Sequence, residues 1–368
     1  MRLTDIPTPA VLVESSRLER NLDRMQHAAD SRGLRLRPHA KTHKSPHVAA
    51  MQIQRGAAGV CCAKLGEAEV FADAGITDIR LPYPLHPINA ERVFALADRL
   101  RLSFIVDDPQ IARAWSDVAR AQGRKLDVLV KVDVGFHRCG IDPGAADAIQ
   151  GIARLPGLNF RGLLSHAGHA YGATCDAELS AIASTEAELL RDLAARSGVE
   201  CEEISVGSTP TARFSLEQQG LTELRPGNYA YFDRTQVALG AAAFDDCALT
   251  VLARIVSHPA PGRLIFDSGA KTLTTDHARG AGNPSGYGVV LTALDSTTPD
   301  TDLVIDRLSE EHATVHAASG HTALGTGDLV RIIPNHSCVV SNLVDYVWLV
   351  DGEQVLDRLP VAARGRIT

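Results

Sequence analysis

No run of about 18 apolar residues occurs anywhere in the sequence, so no membrane-spanning helix is expected. Basic residues are in the minority: 37 Lys and Arg stand against 44 Asp and Glu, a net charge of -7. That balance argues against nucleic acid or an anionic membrane as the main partner. It says nothing against a small anionic ligand, which a local site can hold. The segment Met1–Pro9 is polar and lacks the apolar stretch of a signal peptide, so a cytoplasmic location is expected. The seven cysteines, at 61, 62, 139, 175, 201, 247 and 338, are odd in number and scattered. A disulfide framework is therefore not expected, and most of them read as small buried residues. No internal repeat or low-complexity tract stands out.

What is present is a regular beat of short β-like runs and helical patterns. Thr8–Glu14 reads as a strand, and Ser16 with Glu19 can form a capping box for the helix that follows. Counting from Leu34, eight strands follow: Leu34–Arg37, Gly59–Ala63, Asp78–Pro82, Leu102–Val106, Leu126–Val132, Phe160–Ser165, Glu203–Val206 and Thr222–Arg225. Helical patterns separate most of them. Strands alternating with helices imply parallel pairing, and eight such units predict a (β/α)8 TIM-type barrel. An open doubly wound sheet would carry a Gly-rich phosphate turn after its first strand, and none is there. Beyond about Gly240 the texture becomes β-rich: Leu249–His258, Arg263–Phe266, Tyr287–Leu291, Asp328–Ile333 and Tyr346–Val350 read as strands of a C-terminal, mainly β domain.

In a barrel, reactive groups gather where strands end and βα loops begin. The first strand leads into His39, Lys41, His43 and Lys44, the fifth into Asp133, His137 and Arg138, and the sixth into His166, His169 and Tyr171. Gly207-Ser208-Thr209 and Gly227-Asn228, after strands seven and eight, have the composition of a phosphate cradle, because glycine turns backbone N–H groups toward an anion and hydroxyls add donors. Two ordinary turns would look the same. A lysine such as Lys41 can form a Schiff base, or it can be a solvated surface residue. His336 and Cys338 follow a strand, so alternation puts both on one side, where they can share a cation. Imidazole with thiolate favours zinc. Water, substrate or a third side chain must complete such a site, and a structural His beside a buried Cys is the competing reading.

Together these segments resemble one family. Arg37-Pro38-His39-Ala40-Lys41-Thr42-His43-Lys44 is similar to the lysine motif of the D-threonine aldolase and D-serine dehydratase group, fold-type III pyridoxal-phosphate enzymes related to alanine racemase. Five further stretches follow in the family's order: Val132–Gly135 with Arg138–Gly140, Ser165–His169, Val206–Pro210, Arg225–Tyr229 and Pro334–Cys338. The resemblance implies that Lys41 carries the cofactor aldehyde. It implies that Ser208, Thr209, Gly227 and Asn228 bind the phosphate, with Tyr229 beside them. It sets His166 near the pyridine ring, Arg138 and Tyr171 along the cofactor or substrate, and His336 and Cys338 on a divalent metal, zinc first, with manganese or magnesium as alternatives. It further implies a homodimer, and a first strand that joins the second domain. The expected division is residues 1–15 with the β domain, 16–240 as the cofactor-binding barrel, and 241–368 as the domain carrying the metal ligands. The His-x-Cys pair tilts the expected reaction on a D-3-hydroxy amino acid toward dehydration, giving a 2-oxo acid and ammonia. A retro-aldol cleavage to glycine and an aldehyde is the alternative, and a racemase a further one.

Overall fold

The computed structural model describes every residue from Met1 to Thr368. Strand β1 (Ala10–Glu14) runs directly into the helix Ser15–Asp30. The expected Ser16–Glu19 capping box does not form. Glu14 is still extended and occupies the N-cap position, so the helix opens two residues early, and the Ser15 hydroxyl donates to Glu19 Oε1 at 3.2 Å.

Eight parallel strands come next: β2 (Arg35–Leu36), β3 (Val60–Cys61), β4 (Asp78–Pro84), β5 (Arg101–Val106), β6 (Leu126–Lys131), β7 (Leu158–Leu164), β8 (Glu203–Val206) and β9 (Glu223–Leu224). They pair in the order β2-β9-β8-β7-β6-β5-β4-β3. The circle is completed just past β2, where His39 bridges Cys61 in parallel and the Cys61 N–H donates to Pro38 O at 2.8 Å. This is the (β/α)8 barrel that the sequence predicts. The crossover helices follow from local chemistry. In Pro109–Ala121, Asp108 accepts from the N–H groups of Gln110 (2.6 Å) and Ile111 (3.1 Å), and proline fills the first turn. Ala112, Trp115, Ser116 and Ala119 form the buried stripe. Gly123, at a φ of 63°, takes the left-handed turn beyond the helix end.

Alternation along the strands sorts the barrel interior into layers. Inward residues of β4, β5, β8 and β9 at the lower end are Arg80, Ser103, Glu203 and Glu223, all buried, and Arg37 joins them from the end of β2. Glu223 is gripped from both sides, by Arg37 Nε at 2.8 Å and by Arg80. Arg80 also holds Glu203 at 2.7 Å. Above lies an apolar layer of Ile105, Leu129 and Leu164. Above that, Lys131 and Arg225 face the barrel mouth.

The remaining strands are β10 (Leu249–Ala260), β11 (Arg263–Phe266), β12 (Val289–Leu291), β13 (Leu303–Leu308), β14 (Ala313–Ala317), β15 (Leu329–Ile333), β16 (Tyr346–Asp351) and β17 (Gln354–Pro360). They form a second sheet, in which β1 lies between β10 (antiparallel, Val13 opposite Leu249) and β16 (parallel, Val13 opposite Leu349). Three of its strands, β13, β14 and β17, were not expected from the sequence. In β13 and β17 the alternation is broken by charged residues on open faces: Asp306, Arg307, Asp357 and Arg358 are all exposed. One apolar core runs through both sheets, joining Val11 and Val251 to Leu36 and Val206. The expectation that most cysteines are buried is also corrected. All seven are free, but only Cys61, Cys62 and Cys247 are buried, because the others sit at turns or helix starts.

Burial pushes the Glu223 carboxyl up, but Arg80 and Arg37 outweigh it and hold it down to about 2. A depressed carboxylate contributes stability that is complete above its ordinary value of 4.5 and is lost as pH falls toward about 2. Acid unfolding should therefore steepen in that window. Glu223→Gln should destabilise the fold by about 3–5 kcal/mol, since it leaves two buried guanidinium groups without their shared anion. Urea unfolding at pH 7 and pH 4 measures both effects.

Candidate active site

The barrel mouth and the second sheet enclose a cavity of about 660 Å³. Only three of its 25 lining residues are hydrophobic, which suits a small, polar, charged ligand. Lys41 lines it from a short 3-10 turn after β2. His39 begins that turn, and its Nδ1 accepts from the Lys41 N–H at 3.4 Å. Burial, followed by the charges of Lys41 and Arg225, pushes the His39 imidazole well below its ordinary value. His43, two residues beyond Lys41, points the other way into the core between Phe71 and Tyr231.

His166 follows β7 and presents its ring to the cavity edge-on to Phe136, at 5.9 Å between centroids. Its Nδ1–H donates to Gly207 O at 2.6 Å, which leaves Nε2 free. Burial, then the charges of Lys131 and Lys41, keeps this ring neutral. Arg138 also lines the cavity, with its guanidinium over the Phe136 ring at 4.9 Å. Tyr171 lies beneath Gln236, whose amide donates to the phenol oxygen at 3.4 Å. His169 and His137 lie outside the cavity, and His137 instead closes a local turn onto Asp133 at 3.0 Å.

The cradle residues Ser208 and Thr209 are buried at the cavity wall, and neither hydroxyl has a partner within the protein. Two buried, unpaired hydroxyls are costly unless a ligand meets them. Backbone packing is tight here. A Cβ on Gly227 would come within 2.8 Å of His39 O and 3.1 Å of Thr42 Oγ1. The Asn228 side chain donates to Asp233 Oδ2 at 2.6 Å and lies 3.5 Å from Cys338 Sγ, so it spans from the cradle to the thiol. Tyr229 is a correction. Its side chain is buried in the core, where its hydroxyl accepts from Gln52 Nε2 at 3.0 Å, and it does not reach the cavity. The turn at Gly227–Ala230 directs the ring into the core.

His336 and Cys338 do line the same cavity, but not by strand alternation. β15 ends at Ile333, His336 is an N-cap residue, and Cys338 stands in the first turn of the helix Ser337–Asn342. Cys338 Sγ lies 3.2 Å from Thr42 Oγ1. Burial raises the thiol, but the neighbouring His336 outweighs it and holds Cys338 below its ordinary value. Burial likewise opposes the imidazolium, yet Cys338 and Asp233 push His336 up to about 10. His336 Nδ1 donates to Asp276 Oδ2 at 2.6 Å, which fixes the ring and turns its other nitrogen away from the carboxylate. No cluster of three or more His, Cys, Asp or Glu side chains converges on one point. A soft nitrogen–sulfur pair with open positions fits a metal that also takes water or substrate.

Residues 13–235 match the family described as alanine racemase, N-terminal domain. The chain belongs to that family. Residues 248–350 match the putative serine dehydratase domain. Among curated relatives, a D-threo-3-hydroxyaspartate dehydratase from Delftia sp. is 35% identical over 91% of this chain and 92% of its own length. A D-threonine aldolase from Arthrobacter sp. is 34% identical over 99% and 94%. The solved dehydratase from Delftia sp. HT23 superposes with a TM-score of 0.91 at 31% identity, covering 98% of both chains. A variant of that enzyme was solved in a metal-free form. A Clostridium difficile alanine racemase, at 14% identity and a TM-score of 0.71, shares the fold. The expectation of a fold-type III pyridoxal-phosphate lyase, an alanine racemase relative of the dehydratase and aldolase branch, is thus borne out.

Sequence reading passed over Lys131. It is the last inward residue of β6 rather than a loop residue, it is buried, and it lines the cavity with no hydrogen-bond partner. Burial, then the charge of Arg225, pushes its amine down to about 7. Asp233, Asp276 and Arg279 were also missed, since none lies in a strand-end motif. Two substitutions test the wall. Lys41→Ala should remove the visible absorbance of the lysine-bound cofactor. Ser208→Ala should weaken cofactor binding about 10-fold, the loss of one charge-assisted hydrogen bond, measured by titrating apoprotein with pyridoxal phosphate.

Proposed function

We propose that the chain dehydrates D-3-hydroxy amino acids to a 2-oxo acid and ammonia, with pyridoxal phosphate on Lys41 and a divalent metal, zinc first, on His336 and Cys338. One observation carries the reading: Lys41 and the His336–Cys338 pair face a single cavity, tied together where Thr42 touches Cys338 at 3.2 Å. When bound, the cofactor supplies an electron sink for charge at Cα, and the metal supplies Lewis acidity at the β-hydroxyl.

The chain's own residues divide the remaining work. The hydroxyls of Ser208 and Thr209 and the backbone turn at Gly227 and Asn228 hold the phosphate. His166, neutral and fixed on Gly207 O, packs beside the cofactor ring without adding charge. Arg138 takes the substrate α-carboxylate, and Tyr171 walls the substrate side. The ε-amine of Lys41, which would hold the cofactor aldehyde, would also take the α-proton of the bound substrate. A β-hydroxyl on the adjacent carbon then meets the His336–Cys338 side of the cavity.

Dehydratase and aldolase relatives are equally similar in overall sequence. His336-x-Cys338 favours elimination, because the soft pair resembles the metal site of dehydratase members. A homodimer and a cytoplasmic address belong to the same proposal. Product analysis on D-serine and D-threonine tests it. Pyruvate and 2-oxobutyrate with ammonia are expected, whereas glycine with an aldehyde would sink elimination. A chelator should suppress turnover and added zinc should restore it, while full activity of metal-stripped enzyme would remove the metal from the scheme.

A further inference from the structure

We infer that Arg279 recognises a second carboxylate on the substrate, so that 3-hydroxy-D-aspartate-type dicarboxylates are preferred over D-serine and D-threonine. The inference rests on the dehydratase reading and assigns its substrate class. Five cationic side chains line the cavity: Lys41, Lys131, Arg138, Arg225 and Arg279. None forms an ion pair with a carboxylate. The two acidic groups there are already engaged, Asp233 by Asn228 and Ser337 and Asp276 by His336. Of the cations, Lys41 is consumed by the cofactor. Arg225 is buried and bound to Ser165 O and Ser205 Oγ. Lys131 is buried at the end of β6. Arg138 and Arg279 remain, both exposed to the cavity mouth and both without an anion. A monocarboxylate substrate uses one of them, whereas a dicarboxylate uses both.

The placement of Arg279 suits a carboxylate on Cβ. Its segment crosses from the second sheet and is pinned over the helix Arg234–Ala238. The Arg279 N–H donates to Thr235 Oγ1 at 3.2 Å, and the Ala281 N–H to Ala238 O at 3.2 Å. The Asn335 amide holds the same segment by donating to Asp276 O at 2.9 Å and to Gly286 O at 2.8 Å. Asp276, three residues before Arg279, touches the metal-ligand candidate His336. Arg279, Tyr171, His336 and Cys338 line the same cavity. The guanidinium therefore belongs to the side of the cavity that meets the β-hydroxyl.

Holoenzyme kinetics on D-threo-3-hydroxyaspartate and D-serine test the assignment. Wild type is expected to favour the dicarboxylate. Arg279→Met should lower kcat/KM for it about 10- to 100-fold, the loss of a charged hydrogen bond, mainly through KM, and D-serine turnover should fall far less. Arg279→Lys should recover part of the loss. Equal losses on both substrates, or no preference in wild type, would overturn the assignment while leaving the lyase reading intact. If neither substrate releases ammonia together with oxaloacetate or pyruvate, the dehydratase reading itself fails. Binding then still decides Arg279: D-malate must perturb the spectrum of the bound cofactor at lower concentration than D-lactate, and Arg279→Met must remove that difference.

Discussion

The carboxylate of Glu223 lies between two guanidinium groups inside the barrel, and the floor of the cavity is built on that arrangement. Ser205 Oγ donates to Glu223 Oε1 at 2.6 Å, and Arg225 reaches the same hydroxyl from above. Charge at the lower end is thereby linked, through one serine, to a cation that faces the ligand. Buried ion pairs add little net stability compared with apolar packing, but they are unforgiving of misplacement. A short barrel whose strands run two to seven residues has little hydrogen-bonded ladder to fix its register. The five-residue set of Arg37, Arg80, Glu203, Ser205 and Glu223 supplies that definition, and with it the height of Lys41 and Arg225 at the mouth.

The mouth is a set of unsatisfied groups held in place by satisfied ones. Ser208 and Thr209 keep free hydroxyls, while the backbone around them packs too closely for extra atoms at Gly207 and Gly227. His166 has one nitrogen committed and one free. His336 and Cys338 face the same cavity, the first held by Asp276 and the second beside Thr42. Thr42 matters more than its size suggests. Its carbonyl accepts from Ser341 Oγ at 2.5 Å, so the turn that carries Lys41 is clamped to the helix that carries Cys338.

The sequence made the barrel legible because its strands are short apolar runs separated by segments with helical spacing of apolar residues, a pattern that needs no tertiary information. Lys41, Ser208 and Thr209 were legible because they fall at strand ends. Tyr229 was misread because a motif places the residue but not its rotation, and Gln52, far away in the chain, claims its hydroxyl. His336 and Cys338 reach the cavity by a route the strand pattern does not contain, since a helix turn rather than a strand carries the two side chains there. Lys131 was hidden within a strand, where only the closed ring reveals which residues face inward. Asp276 and Arg279 lie in a segment without periodicity, and only the pinning by Thr235 and Asn335 puts them at the mouth.

The placement of β1 has a bearing on how the molecule is assembled in the cell. Residues 10–14 are synthesised before the barrel, yet both neighbours of that strand, β10 and β16, are synthesised after it. Until then five apolar-rich residues remain an unpaired edge beside a nascent domain. Such late, long-range pairing is slow and exposes the chain to aggregation. The barrel therefore matures while tethered to an open strand, and the cavity, which needs side chains from both domains, closes only after the second sheet has been made.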